Sequence, residues 1–286
     1  MKLLNGKEYA DEIKDIVKES VARMSENGRS VKLAVIQVGN DEASSVYVGN
    51  KEKACKYCGI ESKVYKLNGN VPKDVLEDTL LELVNRLNKD KSVNGILVQL
   101  PLPKHIDEHG IIQAIFPEKD VDGFHEINVG KLTLGETMFA PCTAKGIAML
   151  LIHNGIDIVG KNCVVVGRSN IVGKPTATLL LNLDGTVTVC HSKTKNLKEI
   201  CKNADILVCA IGKPKFFNKE YIKEGAVVVD VGIHRTENGL CGDVDFDDVK
   251  DIVSAITPVP RGIGAMTVSM LMMNCVEAAN MQYGRD

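Results

Sequence analysis

The 286-residue sequence contains no tryptophan, and aromatic residues of all kinds make up only 4% of it. This scarcity argues against a stacking platform for single-stranded nucleic acid. An excess of one charge is also lacking, because 35 basic residues stand against 37 acidic ones, for a net charge of -2. A nucleic-acid-binding protein needs a basic face that releases counterions, so the charge balance predicts other partners.

Long apolar runs are missing as well. No segment approaches the roughly 18 residues needed to span a bilayer, and the N-terminal stretch has no signal-peptide core. The sequence therefore predicts no membrane contact. The nine cysteines lack the spacing of a disulfide framework, which predicts a reduced, cytoplasmic protein. The CxxC at Cys55–Cys58 falls at a predicted helix end, where nothing lowers a thiol pKa. Buried packing is therefore favoured over redox or metal function.

Short β-branched runs alternate with longer segments of helical period, a pattern typical of βαβ units around a parallel sheet. With 44% hydrophobic and 25% charged residues, the composition is that of a globular protein. The length predicts two domains or one large α/β domain. The predicted strands cover residues 32–38, 63–67, 95–100, 163–167, 186–191, 205–211, 226–233 and 254–259.

Helical periods fill most of the segments between these strands. The predicted helices include one ended by Gly28 and others over residues 41–57, 72–87, 143–154 (capped by Thr143), 174–183, 197–203 and, amphipathic, 267–281. A proline-rich irregular stretch follows residue 100, where an open sheet places its ligand. The predicted domains are 1–139 with the C-terminal segment 267–286, and 140–266.

The turn at residues 167–175 (GRSNIVGKP) joins a predicted strand to a helix start. It is neither GxGxxG nor a P-loop, but backbone N–H groups at a helix N-terminus suit a pyrophosphate. A tight turn without ligand is the alternative. The next strand ends in CHSKT at residues 190–194, without the acid that holds the ribose 2′-OH of NAD. Because Arg168 offers a guanidinium to a 2′-phosphate, NADP is favoured over NAD.

Four side chains in the first half form a candidate constellation. Tyr47 and Lys51 are spaced i,i+4 on one predicted helix and share a face. Gln99 falls inside the predicted strand at 95–100, where a buried amide needs hydrogen-bond partners. Asp122 lies in a glycine-containing loop. Taken singly, each has an ordinary structural interpretation: a solvated lysine, a packing tyrosine, a buried amide and a turn-forming aspartate.

Several longer motifs occur in order along nearly the whole chain. They cover residues 47–60, 95–103 (GILVQLPLP), 117–125 (PEKDVDGFH), 141–143 (PCT), 167–175 and 257–260 (TPVP). Together they resemble the bifunctional methylenetetrahydrofolate dehydrogenase/methenyltetrahydrofolate cyclohydrolase family. The resemblance implies two α/β domains with a cleft between them, folate on the first domain and NADP on a Rossmann-like, parallel-sheet second. It also implies a metal-free, cytoplasmic homodimer.

The resemblance further implies a role for each candidate residue. Lys51 is the general acid/base, Tyr47 stacks on folate and orients it, Gln99 tunes Lys51, and Asp122 anchors the pterin. Arg168 and Ser192 match the positions that face the 2′-phosphate. The expected cofactor-binding set is Gly167, Arg168, Ser169, Ile171, Gly173, His191, Ser192 and Ile233. His125, beside the folate loop, is the first alternative base, although an ordinary loop histidine is the simpler interpretation.

These residue types fit the chemistry of the two steps. Oxidation of the methylene bridge gives a methenyl cation, which water attacks without a Lewis acid. The hydrolytic step needs a base, and a lysine serves as one only when its environment favours the neutral amine. A neutral glutamine can orient that amine. A carboxylate in its place would stabilise the charged ammonium and raise the lysine pKa. An aspartate offers two acceptors to the paired donors of the pterin edge.

The sequence also departs from the family pattern. Asp230 and Asp243 are interpreted as structural. Ala144 and Ala265 replace common prolines, Arg261 replaces a common glycine, and His234 replaces a common asparagine. These departures bear on cofactor affinity and loop rigidity. Two alternatives stay open here: a monofunctional dehydrogenase and a non-catalytic folate- or NADP-binding protein. The intact Lys51 and Gln99 argue against both.

Overall fold

Two parallel sheets organise the chain, one of six strands and one of three. The computed structural model describes residues 1–136, 138–237 and 239–284, without the side chain of residue 43. Residues 285 and 286 of the predicted C-terminal segment lie outside the described residues. The chain divides into a six-strand unit, comprising Met1–Asp11, Leu132–Glu136 and Ala140–Met270, and a three-strand unit, comprising residues 12–131, 138–139 and 271–284.

The elements follow one another in α/β order. The strands are β1 (Lys2–Leu3), β2 (Lys32–Val38), β3 (Glu61–Leu67), β4 (Gly95–Val98), β5 (Asn162–Val166), β6 (Thr186–Cys190), β7 (Ile206–Cys209), β8 (Val227–Asp230), β9 (His234–Thr236), β10 (Gly239–Cys241) and β11 (Ala255–Ile256). The α-helices are α1 (Gly6–Glu26), α2 (Glu42–Cys58), α3 (Lys73–Lys89), α4 (Glu108–Gln113), α5 (Glu126–Thr133), α6 (Cys142–His153), α7 (Gly173–Asn182), α8 (Leu197–Lys202), α9 (Phe246–Val249) and α10 (Ile263–Tyr283).

The three-strand unit has β2 at its centre, paired in parallel with β3 on one side and β4 on the other. Helix α3 packs on this sheet through a stripe at i, i+4 and i+7 spacing, formed by Leu76, Leu80, Leu83, Val84 and Leu87. Since the chain moves from β3 across β2 to β4, the strand order reverses at β2. A ligand crevice is expected at the carboxyl ends of strands next to such a reversal.

The six-strand unit has the order β1-β11-β8-β7-β5-β6, with parallel pairing throughout. Its inner strands are buried on both faces, which explains their continuous apolar runs. The order reverses between β6 and β7 on either side of β5. The predicted α/β class with a Rossmann-like second sheet is therefore confirmed.

Several local features differ from the sequence prediction. Strand β1 and the antiparallel hairpin β9-β10 were not predicted, because runs of two and three residues are too short to show a period. Strand β4 ends at Val98, so Gln99 follows the strand rather than lying inside it. Helix α6 begins at Cys142, one residue before the predicted cap, and the Thr143 hydroxyl instead lies 3.1 Å from the Thr267 hydroxyl.

The C-terminal helix α10 differs from the predicted amphipathic helix. Buried residues occur all round it, and they include polar Ser269 and Asn274 as well as the apolar side chains expected on one face. Asn274 donates from Nδ2 to the carbonyl oxygen of Val121 at 2.8 Å. The methionines, alanines and small polar residues of this helix blur its apolar period, which explains the wrong prediction.

Candidate active site

Helix α2 positions both Tyr47 and Lys51. The Asp41 carboxylate accepts the backbone N–H of Ser44 at 2.7 Å and caps the start of the helix, while Gly59 ends it in the left-handed conformation. Between these ends, Lys51 follows Tyr47 by one turn. The tyrosine side chain is 45% exposed and the lysine is half-buried. The helix therefore presents a partly shielded amine next to an accessible aromatic ring.

A direct hydrogen bond joins Lys51 to Gln99. Lys51 Nζ donates to Gln99 Oε1 at 2.9 Å. The glutamine follows β4, and its Nε2 donates to the carbonyl oxygen of Leu100 at 2.7 Å. Because the amide nitrogen is engaged by that carbonyl, the amide oxygen faces the lysine. The amine thus has a neutral acceptor that fixes its position without stabilising the ammonium as a carboxylate would.

Asp122 lies in a loop that runs beside β4. Asp120 forms a parallel bridge with Ile96 of that strand, and the chain then turns, because the N–H of Gly123 donates to the carbonyl oxygen of Asp120 at 3.1 Å. Asp122, within this turn, is half-buried. The predicted pterin anchor therefore lies in a turn that begins beside β4, the strand that Gln99 follows.

Asp120 organises this loop, a role that the sequence analysis did not predict. Its buried carboxylate accepts the backbone N–H groups of Gly123 (3.2 Å) and His125 (2.8 Å) and the Nδ2 of Asn128 (2.8 Å). Burial raises the pKa of Asp120, while these hydrogen bonds oppose the rise. The available signal was an aspartate before a glycine turn, but turn formers and ligand-binding aspartates look alike in sequence.

Two further side chains fix the same loop. Lys119 is buried, and its Nζ donates to the carbonyl oxygens of Leu87 (2.9 Å) and Asp90 (2.8 Å) at the end of α3. Burial lowers the pKa of Lys119. His125 is also buried, and its Nδ1 accepts the backbone N–H of Ile127 at 3.1 Å. These contacts give both residues structural roles and favour the ordinary loop interpretation of His125.

The turn after β5 has the shape that an anion at a helix N-terminus requires. Gly167 has φ +136°, and a Cβ there would meet the carbonyl oxygen of Ala210 at 2.3 Å. A Cβ on Gly173, the first residue of α7, would meet the carbonyl oxygen of Gly167 at 2.2 Å. Only glycine fits either position. The two glycines let the backbone at Gly167 approach Ala210, and the backbone at Gly173 approach Gly167. Such a turn suits the pyrophosphate of a dinucleotide.

The Ser169 side chain stabilises this turn through hydrogen bonds to its backbone. Its Oγ accepts the backbone N–H groups of Val172 (3.2 Å) and Gly173 (3.3 Å), while Arg168 and Ile171 are exposed. The guanidinium is therefore accessible to a ligand beside the turn. Ser169 itself serves the turn in this structure, and a cofactor contact would be an addition to that role.

The segment after β6 forms a second turn built by its own side chains. The backbone N–H of His191 donates to Thr194 Oγ1 at 2.9 Å, and the N–H of Lys193 donates to His191 Nδ1 at 3.1 Å. Ser192 is exposed between them. The predicted contact Ile233 follows β8 and is 43% exposed. All predicted cofactor residues thus follow the carboxyl ends of strands in the six-strand unit.

Within residues 1–136, 138–237 and 239–284, no group of three or more His, Cys, Asp or Glu side chains has an arrangement that could hold a metal ion. None of the helices in that part of the chain is both long and apolar enough to cross a membrane.

The chain matches two known domain families in sequence order. Residues 4–122 match the catalytic domain of tetrahydrofolate dehydrogenase/cyclohydrolase, and residues 141–283 match the NAD(P)-binding domain of the same enzymes. The chain belongs to the tetrahydrofolate dehydrogenase/cyclohydrolase family. Membership makes it a bifunctional enzyme with both activities, in agreement with the resemblance in its motifs. The alternative of a non-catalytic binding protein is wrong.

Full-length relatives support the assignment. The chain is 60% identical over 278 residues to the bifunctional protein FolD of Lachnoclostridium phytofermentans, covering 97% of each sequence. Its fold is similar to that of the bifunctional FolD of Campylobacter jejuni, with a TM-score of 0.95, 49% identity and coverage of 98% and 99%. It is also similar to the Trypanosoma brucei FolD, solved with NADP and an inhibitor, with a TM-score of 0.92, 39% identity and 98% coverage of each chain.

The structure explains the tolerance of two departures from the tetrahydrofolate dehydrogenase/cyclohydrolase pattern and shows the cost of a third. Ala144 and Ala265 are each the third residue of a helix, in α6 and α10. Proline and alanine are both acceptable in a first turn, because its N–H groups have no partner inside the helix. Arg261 has φ +80°, a conformation that favours the common glycine. Arginine there costs about 1–2 kcal/mol.

Proposed function

We propose that the three-strand unit binds the folate and that Lys51 is the general acid/base of its hydrolysis. In this proposal, 5,10-methylenetetrahydrofolate is oxidised to the 5,10-methenyl form, which is then hydrolysed to 10-formyltetrahydrofolate. The observation that carries the proposal is the 2.9 Å hydrogen bond from Lys51 to the neutral amide of Gln99. That bond orients the amine through a neutral acceptor, which stabilises an ammonium less than a carboxylate would.

The remaining residues of this unit bind and orient the substrate. Asp122 accepts the paired N–H donors of the pterin edge, from a loop that Asp120 holds in place. Tyr47 stacks its exposed ring on the flat folate. Lys51 then takes a proton from the attacking water and returns one to the departing ring nitrogen. A monofunctional dehydrogenase would have no use for this lysine–glutamine pair.

We propose that the six-strand unit binds NADP in preference to NAD. When bound, NADP accepts the hydride from the methylene carbon. The pyrophosphate would lie at the Gly167–Gly173 turn, with Ser169 and Ile171 lining it. Arg168, His191 and Ser192 would surround the 2′-phosphate. Ile233 would lie at the nicotinamide end of the cofactor. The absence of an acid among residues 190–194 supports this preference, since a carboxylate would repel the phosphate.

Replacing Arg168 tests the cofactor preference. Arg168→Ala should raise the KM for NADP about tenfold or more, because a charge-assisted hydrogen bond contributes roughly 1.5–3 kcal/mol. The KM for NAD should barely move, since NAD has no 2′-phosphate. Steady-state kinetics with both cofactors measure this, with Lys202→Ala, another exposed cation of the same unit, as the control. Equal loss with both cofactors would show that Arg168 serves the turn rather than the phosphate.

Replacing Gln99 tests the neutral partner of the lysine. Gln99→Glu places a carboxylate beside Lys51 Nζ and favours the charged ammonium. The cyclohydrolase rate at neutral pH should fall, and the rising limb of its pH profile should move to higher pH. Gln99→Met, which removes the contact without adding charge, should lower the rate without that shift. An unchanged pH profile in Gln99→Glu would contradict the proposed role.

We also propose that the enzyme is a cytoplasmic homodimer that acts on small folate substrates without nucleic-acid or membrane partners. The resemblance to its family supports the dimer. The balanced charge argues against a nucleic-acid partner, and the nine cysteines without disulfide spacing support the cytoplasmic location.

A further inference from the structure

A buried carboxylate ties down the loop after β7. Asp243 is fully buried, and its two oxygens accept three consecutive backbone N–H groups of that loop: Ile211 (2.7 Å), Gly212 (3.0 Å) and Lys213 (2.9 Å). Three donors from one short segment fix its backbone far more tightly than a single contact would. The position of this loop therefore depends on where Asp243 stands.

His234 is the one side chain among the described contacts of Asp243. Its Nε2 lies 2.8 Å from Asp243 Oδ1, and the histidine side chain is only 19% exposed. His234 opens strand β9, and its register partner in the hairpin is Cys241, two residues before Asp243. The imidazole thus closes the hairpin onto the same carboxylate that holds residues 211–213. Removing it leaves Oδ1 with the Lys213 N–H alone.

A second buried carboxylate anchors the base of this arrangement. Asp230, at the end of β8, accepts the backbone N–H groups of Gly232 (3.0 Å), Asp243 (2.9 Å) and Val244 (2.9 Å). Burial raises the pKa of Asp230 to about 6, against the effect of these donors. Asp230 fixes the backbone of Asp243, and His234 fixes its side chain.

Sheet order indicates which part of the cofactor this loop meets. The expected pyrophosphate site follows β5, and the expected 2′-phosphate site follows β6, on one side of β5. Strands β7 and β8 lie on the other side. A dinucleotide bound across a strand reversal places its two halves on opposite sides of the central strand. The loop after β7 and the segment after β8 therefore face the nicotinamide half.

We infer that His234 is a positioning residue for the dehydrogenase step: through Asp243 it holds residues 211–213 in the place that aligns the nicotinamide half of NADP. The inference rests on the proposed binding of NADP to the six-strand unit. The affinity for NADP comes largely from the phosphate contacts elsewhere, so loss of His234 affects alignment more than binding.

The test compares three variants in both activities. In His234→Leu, the dehydrogenase kcat should fall about three- to tenfold, on the scale of one side-chain hydrogen bond, with a smaller change in the KM for NADP. Cyclohydrolase activity on preformed methenyltetrahydrofolate, measured without NADP, should be unchanged. His234→Gln keeps an N–H donor at a similar reach and should restore most of the kcat. Arg235→Leu, at the exposed neighbour on β9, is the control and should match the wild type.

Three results would overturn the inference: a wild-type dehydrogenase kcat in His234→Leu, a parallel loss of both activities, or no recovery in His234→Gln. A parallel loss would show that the histidine only supports folding. Failure of the proposed function is distinct, because the wild-type enzyme itself would then not reduce NADP.

Discussion

Lys51→Met should lose cyclohydrolase activity by at least about a hundredfold, the lower end of what a general acid–base group supplies. Methionine keeps the apolar stem and roughly the length of lysine but has no titrating amine. Dehydrogenase activity should survive better, because the amine is not a partner in hydride transfer and only helps to position the folate. The measurements are the rate of hydrolysis of preformed methenyltetrahydrofolate and, separately, the rate of NADP reduction.

A matched control is available on the same helix. Lys53 lies two residues further along α2 and is exposed, so Lys53→Met removes an equal charge without touching the Gln99 contact. Both activities should be retained in this variant. If Lys51→Met hydrolysed methenyltetrahydrofolate at the wild-type rate, Lys51 would be excluded from the mechanism, and His125 would be the next residue to test.

Asp122→Ala should weaken both activities together, with the apparent affinity for folate falling about ten- to a hundredfold. The expected size follows from losing a charge-assisted, bidentate contact of roughly 1.5–3 kcal/mol. Both steps use the same bound pterin, so neither should be spared. Folate affinity is measured by titration, and Asp122→Asn, which keeps one acceptor oxygen, should fall between the wild type and Asp122→Ala.

The control for this prediction must remove a carboxylate elsewhere in the three-strand unit. Asp74, exposed in the first turn of α3, serves this purpose, and Asp74→Ala should bind folate as the wild type does. Thermal unfolding of each variant separates loss of binding from loss of fold. Unchanged folate affinity in Asp122→Ala would show that the anchoring role is wrong.

The parts of the fold that depend on period could be predicted from sequence. The buried strands of the larger sheet are continuous apolar runs, and α3 carries a regular apolar stripe, so both have unambiguous patterns. Strand β1 has no such pattern, because two residues contain no period, and its pairing with β11 joins distant parts of the chain. The helical structure of α10 was predicted, but its burial on all sides was not, because small and polar buried residues hide the burial that tertiary packing imposes.

The candidate site could be predicted in part. Lys51 and Tyr47 share a face because of their spacing, and their chemistry came from the resemblance of the surrounding motifs. Asp120 and His234 could not be assigned a role in advance, because the turn that brings backbone N–H groups to Asp120 and the hairpin that brings His234 to the Asp243 carboxylate exist only in the folded chain. Which N–H groups a carboxylate accepts is decided by the fold, and a single sequence carries no record of it.

The most direct test of the proposed mechanism is one reaction followed by the absorbance of the methenyl intermediate. The enzyme is mixed with methylenetetrahydrofolate and NADP, with the wild type and Lys51→Met run side by side and corrected for uncatalysed hydrolysis. In the wild type, the methenyl signal should rise and then decay as formyltetrahydrofolate forms; in Lys51→Met it should rise and persist. A signal that decays equally fast in both proteins would contradict the assignment of Lys51 as the base.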